Sequence, residues 1–344
     1  MIVSGRSSAA WASSRDLKAK VAVLLINWNG WRLSAQAYRS LLKSDFRQWV
    51  LIIVDNASSD DSLVHLRGLG PEVHIIESPT NLGFSGGCNL ALETAEKLGV
   101  EFVFFLNNDC TVTPSTLGAL VSASDSLRNN AILGAVVRYS DDGALQFFRA
   151  VSSSTSGVPE FEQPKEERLS AQKDLIESDF IFGAALFAPM SIVRSVGRFD
   201  ERFFLNYEET DWCYRAKKKG FSCFVVKNAE TFHEGSASLG AFYGPMQSYF
   251  IQRNRLLFCE KHATPLQLIR TYFKTLRDAQ GLMRRALGLS RRSPPGFSPR
   301  AKAIFLALRD YILRRFGDCP PIVRELARTA NRLRSPEDDL QRKS

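Results

Sequence analysis

Three continuous apolar runs constrain the fold of this chain most strongly. They span residues 21–26 (VAVLLI), 50–54 (VLIIV) and 102–106 (FVFFL). An unbroken apolar run is typical of a strand that is buried on both faces of a parallel sheet. Between the runs, residues 32–42 and 89–98 favour helices, and Gly99 is a suitable stop for the second. The alternation predicts an α/β fold with a doubly wound, mostly parallel sheet.

The alternation lapses between residues 141 and 178, where SSSTSG, two prolines and a charge cluster predict an insert or mobile loop. Residues 180–187 then predict a further strand. The first twenty residues lack the apolar stretch of a secretory signal, which favours a flexible tail. The predicted organisation is a tail over 1–20, an α/β domain over 21–245 and a basic helical region over 246–344.

Positive charge is concentrated at the C-terminal end. Residues 251–344 carry 21 Lys and Arg against 8 Asp and Glu, whereas the whole chain has a net charge of +9. We predict helices over 247–261, 265–287 and 300–316. On the third, apolar residues recur at helical spacing, so it either packs on the α/β body or docks on an anionic lipid surface. Nucleic-acid binding is disfavoured, because the basic region lacks an aromatic stacking platform.

The cysteines and the hydropathy pattern bear on the compartment. Six cysteines are scattered without the close pairs that zinc sites need, which favours reduced thiols in the cytoplasm. No run approaches the roughly 18 apolar residues of a membrane span. We therefore expect a cytoplasmic protein that associates with the inner membrane only peripherally, through its basic region.

Polar residues follow each of the three apolar runs. They are Asn27 and Asn29 after the first, Asp55 after the second, and Asn107, Asn108 and Asp109 after the third. Ligands of open α/β sheets bind beyond the carboxyl ends of the strands. Asp55 would bind a ribose or base there, or would serve a helix cap. The Asn-Asn-Asp sequence favours a Mg²⁺ or Mn²⁺ site over a simple turn.

Two further segments have the residue types of a ligand site. Residues 81–87 (NLGFSGG) precede a predicted helix, where glycines and helix amides suit a diphosphate, although a plain tight loop fits equally well. His233 follows a predicted strand over 223–226 and is a candidate metal ligand. Each signal is weak when it is taken alone.

A cluster of carboxylates lies in the segment YEETDWCYR, residues 207–215. Glu208, Asp211 and Arg215 share one helix face by spacing, and Glu209 points about a quarter-turn away. Acids in a first helical turn are favourable to the helix dipole. Crowded carboxylates also raise one another's pKa and so can supply a general base.

The ordered motifs NWNG, VDNASSDDS, NLGFSGGCN, LNND, FGAALF, GRFDERFF, YEETDWCYR and HEGSAS resemble glycosyltransferase family two. The resemblance is to the GT-A fold and to the bacterial rhamnosyltransferase-like branch, over about residues 21–260. It implies that Asn27, Asn29 and Asp55 hold the nucleotide, with Asn81, Gly86 and Asn108 near the donor. It also implies that Asp109 carries the metal and that His233 lies beside it.

The resemblance extends to the base and to the start of the helical region. The family usually has Glu-Asp where this chain has Glu208 and Glu209, so Glu209 aligns with the usual base, while Asp211 remains the alternative. The sequence QRNR at residues 252–255 also resembles the branch. There, Arg253 either reaches phosphate oxygens or is surface charge.

The implied reaction is inverting, metal-dependent sugar transfer, with rhamnose favoured, from a nucleoside diphosphate donor to a glycan or lipid-linked acceptor in cell-surface polysaccharide assembly. A carboxylate removes the acceptor proton while the metal neutralises the departing diphosphate. A nucleotidyltransferase is the rival enzyme, although NWNGWR fits it poorly. A sugar- or lipid-binding protein that has lost its base is the non-catalytic rival.

Overall fold

One ten-stranded mixed sheet organises the computed structural model, which describes residues 19–152, 158–234, 244–286 and 297–332. Its strands are β1 (Val21–Asn27), β2 (Trp49–Asp55), β3 (Val73–Glu77), β4 (Phe102–Leu106), β5 (Cys110–Val112), β6 (Ala131–Tyr139), β7 (Leu145–Phe147), β10 (Leu175–Glu177), β11 (Ala185–Pro189) and β12 (Ser222–His233). A separate two-stranded sheet pairs β8 (Ala150–Ser152) with β9 (Pro159–Phe161).

Eleven helices in the described ranges flank or extend this sheet. They are α1 (Trp31–Leu41), α2 (Ser62–Arg67), α3 (Gly83–Leu98), α4 (Thr116–Ser126), α5 (Glu166–Ser170), α6 (Met190–Val196), α7 (Glu208–Lys217), α8 (Pro245–His262), α9 (Pro265–Ala286), α10 (Phe297–Ile312) and α11 (Pro321–Arg332).

The main path of the sheet runs β10-β12-β6-β11-β4-β1-β2-β3. Four of its seven pairings are parallel, namely β12 with β6, β4 with β1, β1 with β2, and β2 with β3. Every residue of β2 and β4 is buried, and so are six of the seven residues of β1. The prediction of a doubly wound, mostly parallel sheet from the three apolar runs is confirmed.

Helix α3 begins six residues earlier than the sequence predicts. Its glycines lie inside the helix, and a Cβ at Gly87 would come within 3.0 Å of Ile26 Cγ2 on β1. Gly83 has a φ of +69°, and a Cβ there would meet the Phe204 carbonyl oxygen at 2.4 Å. The glycines therefore allow close packing of the helix. The predicted stop at Gly99 is confirmed by its left-handed conformation.

The predicted insert over residues 141–178 contains regular structure. Strands β7 and β10 join the main sheet, and β8 pairs with β9, so the described part of the insert contains short strands that the sequence did not predict. The strands are each three residues long, too short for periodicity to reveal. The strand predicted over residues 180–187 corresponds to β11, which begins five residues later, at Ala185. Residues 153–157 of SSSTSG, and 1–18 of the predicted tail, lie outside the described residues.

Helices α8, α10 and α11 share an apolar cluster with the loop that precedes α7. The cluster contains Phe204, Tyr249, Phe250, Ala303, Ala307, Cys319 and Val323. On α10, Ile304 and Leu308 are also buried, so the packing alternative holds for this helix. Helix α11 was not predicted. The six cysteines are free and buried, and no helix of the described ranges has the length and apolar character to cross a membrane.

Candidate active site

A cavity of about 430 Å³ opens beyond the carboxyl ends of β1, β2 and β4. This is the edge of the sheet at which open α/β folds bind ligands. Seven of the residues that the sequence singled out line the cavity. They are Asn81, Asn107, Asn108, Asp109, Glu208, Glu209 and His233. The structure thus brings the LNND, YEET and HEG motifs together around one space.

Asp109 and His233 face each other in the wall of the cavity. The pairing of β12 with β5 sets His233 opposite Cys110, and His233 Nε2 lies 3.3 Å from Asp109 Oδ1. On the far side of the ring, Nδ1 lies 2.8 Å from the Oε1 atom of buried Gln146 on β7. A proton on Nδ1 that is donated to Gln146 leaves the Nε2 lone pair directed toward Asp109.

This pair has the chemistry of a divalent-cation site. Asp109, Cys110 and His233 offer ligand atoms that all lie within 4.8 Å of one another. Carboxylate oxygen suits Mg²⁺, and carboxylate with imidazole suits Mn²⁺. The donor set therefore fits the metal that the resemblance implies, and Gln146 is the supporting residue that orients the imidazole.

Glu208 and Glu209 begin α7 and line the same cavity. The Oε2 atom of each is buried, without a hydrogen-bond partner among the described residues. Burial raises the pKa of Glu208 well above its ordinary value, and the charge of Glu209 adds to the effect. Burial also raises the pKa of Glu209. A carboxylate with a raised pKa is a stronger proton acceptor than one in water.

The segment before α7 adopts an uncommon backbone conformation. Phe204, Asn206 and Tyr207 have φ values of +64°, +68° and +75°. Such left-handed angles are costly for residues other than glycine. The Asn254 side chain on α8 stabilises them, because its Nδ2 lies 2.7 to 2.8 Å from the carbonyl oxygens of residues 203, 205 and 206.

Arg253 does not line the cavity and is not surface charge, so both expectations for it are corrected. Its side chain is fully buried, and its guanidinium donates to the carbonyl oxygens of Phe203 at 3.2 Å and Arg202 at 3.4 Å. It also lies 5.2 Å from the ring centres of Tyr249 and Phe250. The basic motif in the middle of α8 therefore holds the loop that precedes α7 and its two carboxyl groups.

Asp211 also lies away from the cavity. A helix turns about 100° per residue, so side chains two positions apart point in nearly opposite directions, and Glu209 takes the cavity side. Asp211 is fully buried and contacts Arg215 Nε at 2.9 Å, Lys261 Nζ at 2.6 Å and His262 Nε2 at 2.8 Å. It joins α7 to α8, and this geometry makes it unsuited to be the base.

The residues that were expected to hold the nucleotide bind one another at the ends of β1 and β2. Asn27 Nδ2 donates to Asp55 Oδ1 at 2.9 Å, and Ser58 Oγ donates to the same oxygen at 2.6 Å. Asn29 Oδ1 accepts from the Ser59 backbone amide at 2.7 Å. This network shapes the loop after β2, whereas Asn27, Asn29 and Asp55 do not line the cavity themselves.

The glycine motif has a different role from the one expected. Gly86 lies inside α3, where a Cβ would come within 2.7 Å of Leu82 Cβ, and it does not line the cavity. The backbone amides of Phe84 and Ser85 donate to the Phe204 carbonyl oxygen at 2.7 and 3.3 Å. The first amides of the helix are thus engaged by the protein.

Several residues of the cavity were not predicted from the sequence. Asn56 donates to Asn81 Oδ1 and to the Gly83 carbonyl oxygen, and its position directly after Asp55 was a usable signal. Gln146 and Arg324 lie in segments without a recognised motif. Pro159, Phe161, Phe180 and Phe182 form an apolar wall that includes part of the insert.

Comparisons with known proteins point to one family. The protein-family model described as glycosyl transferase family 2 matches residues 22–192 of this chain. Over 219 residues the chain is 23% identical to a low-salt glycan biosynthesis hexosyltransferase of Haloferax volcanii, covering 60% of this chain and 66% of that one. Over 210 residues it is 24% identical to the N-acetylglucosaminyl-diphospho-decaprenol L-rhamnosyltransferase of Mycobacterium tuberculosis, covering 55% and 68%.

A solved structure supports the fold. The mannosyltransferase of Pyrobaculum calidifontis, in complex with GDP-Man and Mn²⁺, superposes with a TM-score of 0.51 at 15% identity and covers 95% of this chain and 80% of that one. At this identity the likeness shows the fold alone, which is of the GT-A type. The prediction of a GT-A fold with a helical C-terminal extension is confirmed.

Proposed function

We propose that this chain, which carries a glycosyl transferase family 2 domain at residues 22–192 and so belongs to that family, is an inverting sugar transferase. It moves a sugar, with rhamnose favoured, from a nucleoside diphosphate to an acceptor hydroxyl. One observation carries the proposal: the Asp109–His233 pair and the carboxyl pair of Glu208 and Glu209 line the same cavity.

Glu209 is the proposed base. Its side chain is less buried than that of Glu208, whose pKa is raised by burial well above its ordinary value. The pKa of Glu208 is raised more strongly than that of Glu209, so Glu208 is the carboxyl group that keeps its proton and Glu209 is the one that is charged. Glu209 then accepts the proton of the acceptor hydroxyl as that oxygen attacks the anomeric carbon. Attack from the face opposite the leaving group inverts that carbon.

Asp109 and His233 are the proposed ligands of Mg²⁺ or Mn²⁺. A cation bound there neutralises the charge that develops on the leaving diphosphate. Asn108 and Asn81 line the cavity beside this pair and are proposed donor contacts. Asn27, Asn29 and Asp55 are proposed to act by shaping the nucleotide side of the site.

The preference for rhamnose rests on the L-rhamnosyltransferase among the relatives and on the apolar wall of the cavity. Phe161 and Phe182 lie 5.1 Å apart between ring centres in that wall. An aromatic surface complements the methyl group of a 6-deoxy sugar better than it complements a hydroxymethyl group. The acceptor is proposed to be a lipid-linked glycan in cell-surface polysaccharide assembly.

The chain is proposed to reach such an acceptor by resting on an anionic membrane surface through α9. Leu266, Ile269 and Phe273 are 51–62% exposed and recur along one side of this helix. Arg270, Lys274 and Arg277 are exposed beside them. Apolar side chains that are flanked by cations complement a bilayer of anionic lipids. The exposed apolar side chains therefore favour α9 as the membrane contact, whereas the sequence suggested the helix predicted over residues 300–316, which corresponds to α10.

A panel of nucleotide sugars tests the function. Purified protein is incubated with UDP-, GDP- and dTDP-sugars, including dTDP-rhamnose, with Mn²⁺ or with a chelator, and free nucleoside diphosphate is measured. We expect release from one donor, enhanced by a lipid-linked acceptor and lost with the chelator. Binding without release would support a non-catalytic sugar-binding protein, and release of pyrophosphate from a nucleoside triphosphate would support a nucleotidyltransferase.

A further inference from the structure

The charges around the cavity are unequally distributed. Its lining includes the carboxyl groups of Asp109, Glu208 and Glu209, but Arg324 is the only arginine or lysine among the described residues that line it. A nucleoside diphosphate carries several negative charges, so an acidic cavity repels it unless cations compensate. A single divalent ion at Asp109 and His233 compensates only part of that charge.

Arg324 reaches the cavity from the C-terminal end of the chain. It belongs to α11, and the preceding residue, Val323, is fully buried in the apolar cluster with Phe204 and Phe250. This packing fixes the helix beside the loop that precedes Glu208 and Glu209. The side chain of Arg324 is therefore presented to the cavity by the protein core rather than by a free surface helix.

The guanidinium of Arg324 is held from two sides. Its Nη2 donates to both carboxylate oxygens of Asp318, at 2.6 and 2.8 Å. Its Cζ lies 5.7 Å from the ring centre of Trp28, in the turn that follows β1. Within the described ranges, Nε and Nη1 have no hydrogen-bond acceptor. The group is thus oriented in advance, with donors left for a ligand.

We propose that Arg324 binds the diphosphate of the donor, so that the C-terminal helical region completes the donor site. The proposal rests on the proposed function, since it names the residue that holds the donor in the same cavity. Planar guanidinium donors suit phosphate oxygens, and their positive charge stabilises the departing diphosphate in a cavity whose other ionisable side chains include three carboxyl groups. Arg324 thereby takes the role that the sequence suggested for Arg253.

Calorimetric titration with UDP, GDP and dTDP, each in the presence of Mn²⁺, tests the assignment. For the nucleotide that binds best, Arg324→Gln should raise the Kd roughly tenfold or more. Arg324→Lys should raise the Kd less, because lysine keeps the positive charge but lacks the planar set of donors of the guanidinium. Arg328→Gln, the same change one turn further along α11 at an exposed position outside the cavity, should leave the Kd unchanged.

The outcomes separate this assignment from the proposed function. If Arg324→Gln binds the nucleotide within twofold of wild type, while Glu209→Gln lacks turnover, the function stands and Arg324 is not a donor ligand. Equal losses of nucleotide affinity in Arg324→Gln and Arg328→Gln would also overturn the assignment of Arg324, since they would indicate a general effect of positive charge. If wild type binds none of the three nucleotides, the proposed function falls and the assignment falls with it. Equal melting temperatures show that the variants are folded.

Discussion

At the scale of single residues, Glu209 should control the chemical step and its pH dependence. Glu209→Gln keeps the size of the side chain but cannot accept a proton, so turnover should fall by roughly 10² or more while donor affinity changes little. Burial raises the pKa of Glu209, so the wild-type rate should rise as pH increases through that raised pKa. Initial rates across pH measure both effects. Near-normal turnover of the variant would require another base.

Asp211 should control stability instead. Its carboxylate is buried against Arg215, Lys261 and His262, and removing one partner of a buried ion pair leaves uncompensated charge. Asp211→Asn should lower the free energy of unfolding by about 3 kcal/mol. Urea denaturation measures the loss, and Glu209→Gln is the matched control, which we expect to unfold near wild type.

The sign of the pH effect at Asp211 follows from its lowered pKa. Burial alone would raise this pKa, but hydrogen bonds from His262 and Lys261 and the charges of Lys261 and Arg215 lower it below 3.8. The ionised carboxylate therefore stabilises the fold above its unfolded pKa, and this stabilisation is lost as pH falls through the folded pKa. The stability difference between wild type and Asp211→Asn should narrow in acid.

Gln146 should affect metal binding without contacting the metal. Its Oε1 orients His233 through Nδ1, and the loss of such a supporting hydrogen bond typically weakens metal affinity by about 10- to 100-fold. Gln146→Leu should therefore need more Mn²⁺ for half-maximal activity. Mn²⁺ titration monitored by electron paramagnetic resonance tests this directly. Unchanged affinity would mean that His233 is not a ligand, or that its orientation is fixed in another way.

The sequence identified these residues better than it assigned their roles. The sequence drew attention to Asp109 and His233 because each lies beyond a predicted strand, and the structure places their side chains 3.3 Å apart. The choice between Glu209 and Asp211 could not be predicted from the sequence, since it depends on which side of α7 faces the cavity. Arg253 was misjudged because its partners, the carbonyl oxygens of residues 202 and 203, are fifty residues away in the chain.

At the scale of elements, α9 should be the membrane contact. Removal of an apolar side chain from a lipid interface costs about 1.5–3 kcal/mol, so Ile269→Ser and Phe273→Ser should each weaken liposome binding roughly tenfold or more. Binding should need anionic lipid and should fall as salt rises. Liposome flotation with phosphatidylglycerol or phosphatidylcholine vesicles measures this. Ile312→Ser, at a comparably exposed isoleucine on α10, is the control.

Two outcomes would contradict the role of α9. Equal binding of wild type and Phe273→Ser would mean that the exposed side of the helix does not touch the bilayer. No binding of wild type to anionic vesicles at low salt would mean that the apolar side chains of α9 have another partner. In either case the sugar-transfer proposal is unaffected, because α9 contributes no residue to the lining of the cavity.

Helix boundaries and short strands were the least predictable elements. Continuous apolar sequence identified β1, β2 and β4, since burial on both faces leaves no polar position. Helix α3 begins earlier than the sequence predicts. Glycines weaken isolated helices, which argued against a helix over these residues, but here they allow the helix to pack closely on Ile26. The short strands of the insert depend on pairing with distant strands, and no local pattern encodes that pairing.

At the scale of the whole molecule, the predicted boundary at residues 245 and 246 does not separate two packing units. Phe204 belongs to the α/β part, and Tyr249, Ala307 and Val323 belong to the helical part, yet all four share one buried cluster. Asp211 and Lys261 form an ion pair across the same boundary. The sequence predicted a basic helical extension, but its burial against the loop that precedes α7 depends on contacts that composition does not encode.

These shared contacts predict a single cooperative unfolding transition. Val323→Ala removes two buried methyl groups from α11 and should cost about 2 kcal/mol. If the two parts unfold together, calorimetry should show one transition at lower temperature, and intrinsic fluorescence should follow the same curve. Ile322→Ala, at the exposed neighbouring position, is the control and should leave the transition temperature unchanged.

A separate transition at lower temperature in Val323→Ala would mean that the helical region unfolds on its own. The donor site would then depend on a region that can detach, and Arg324 would contribute to binding only while α11 remains docked.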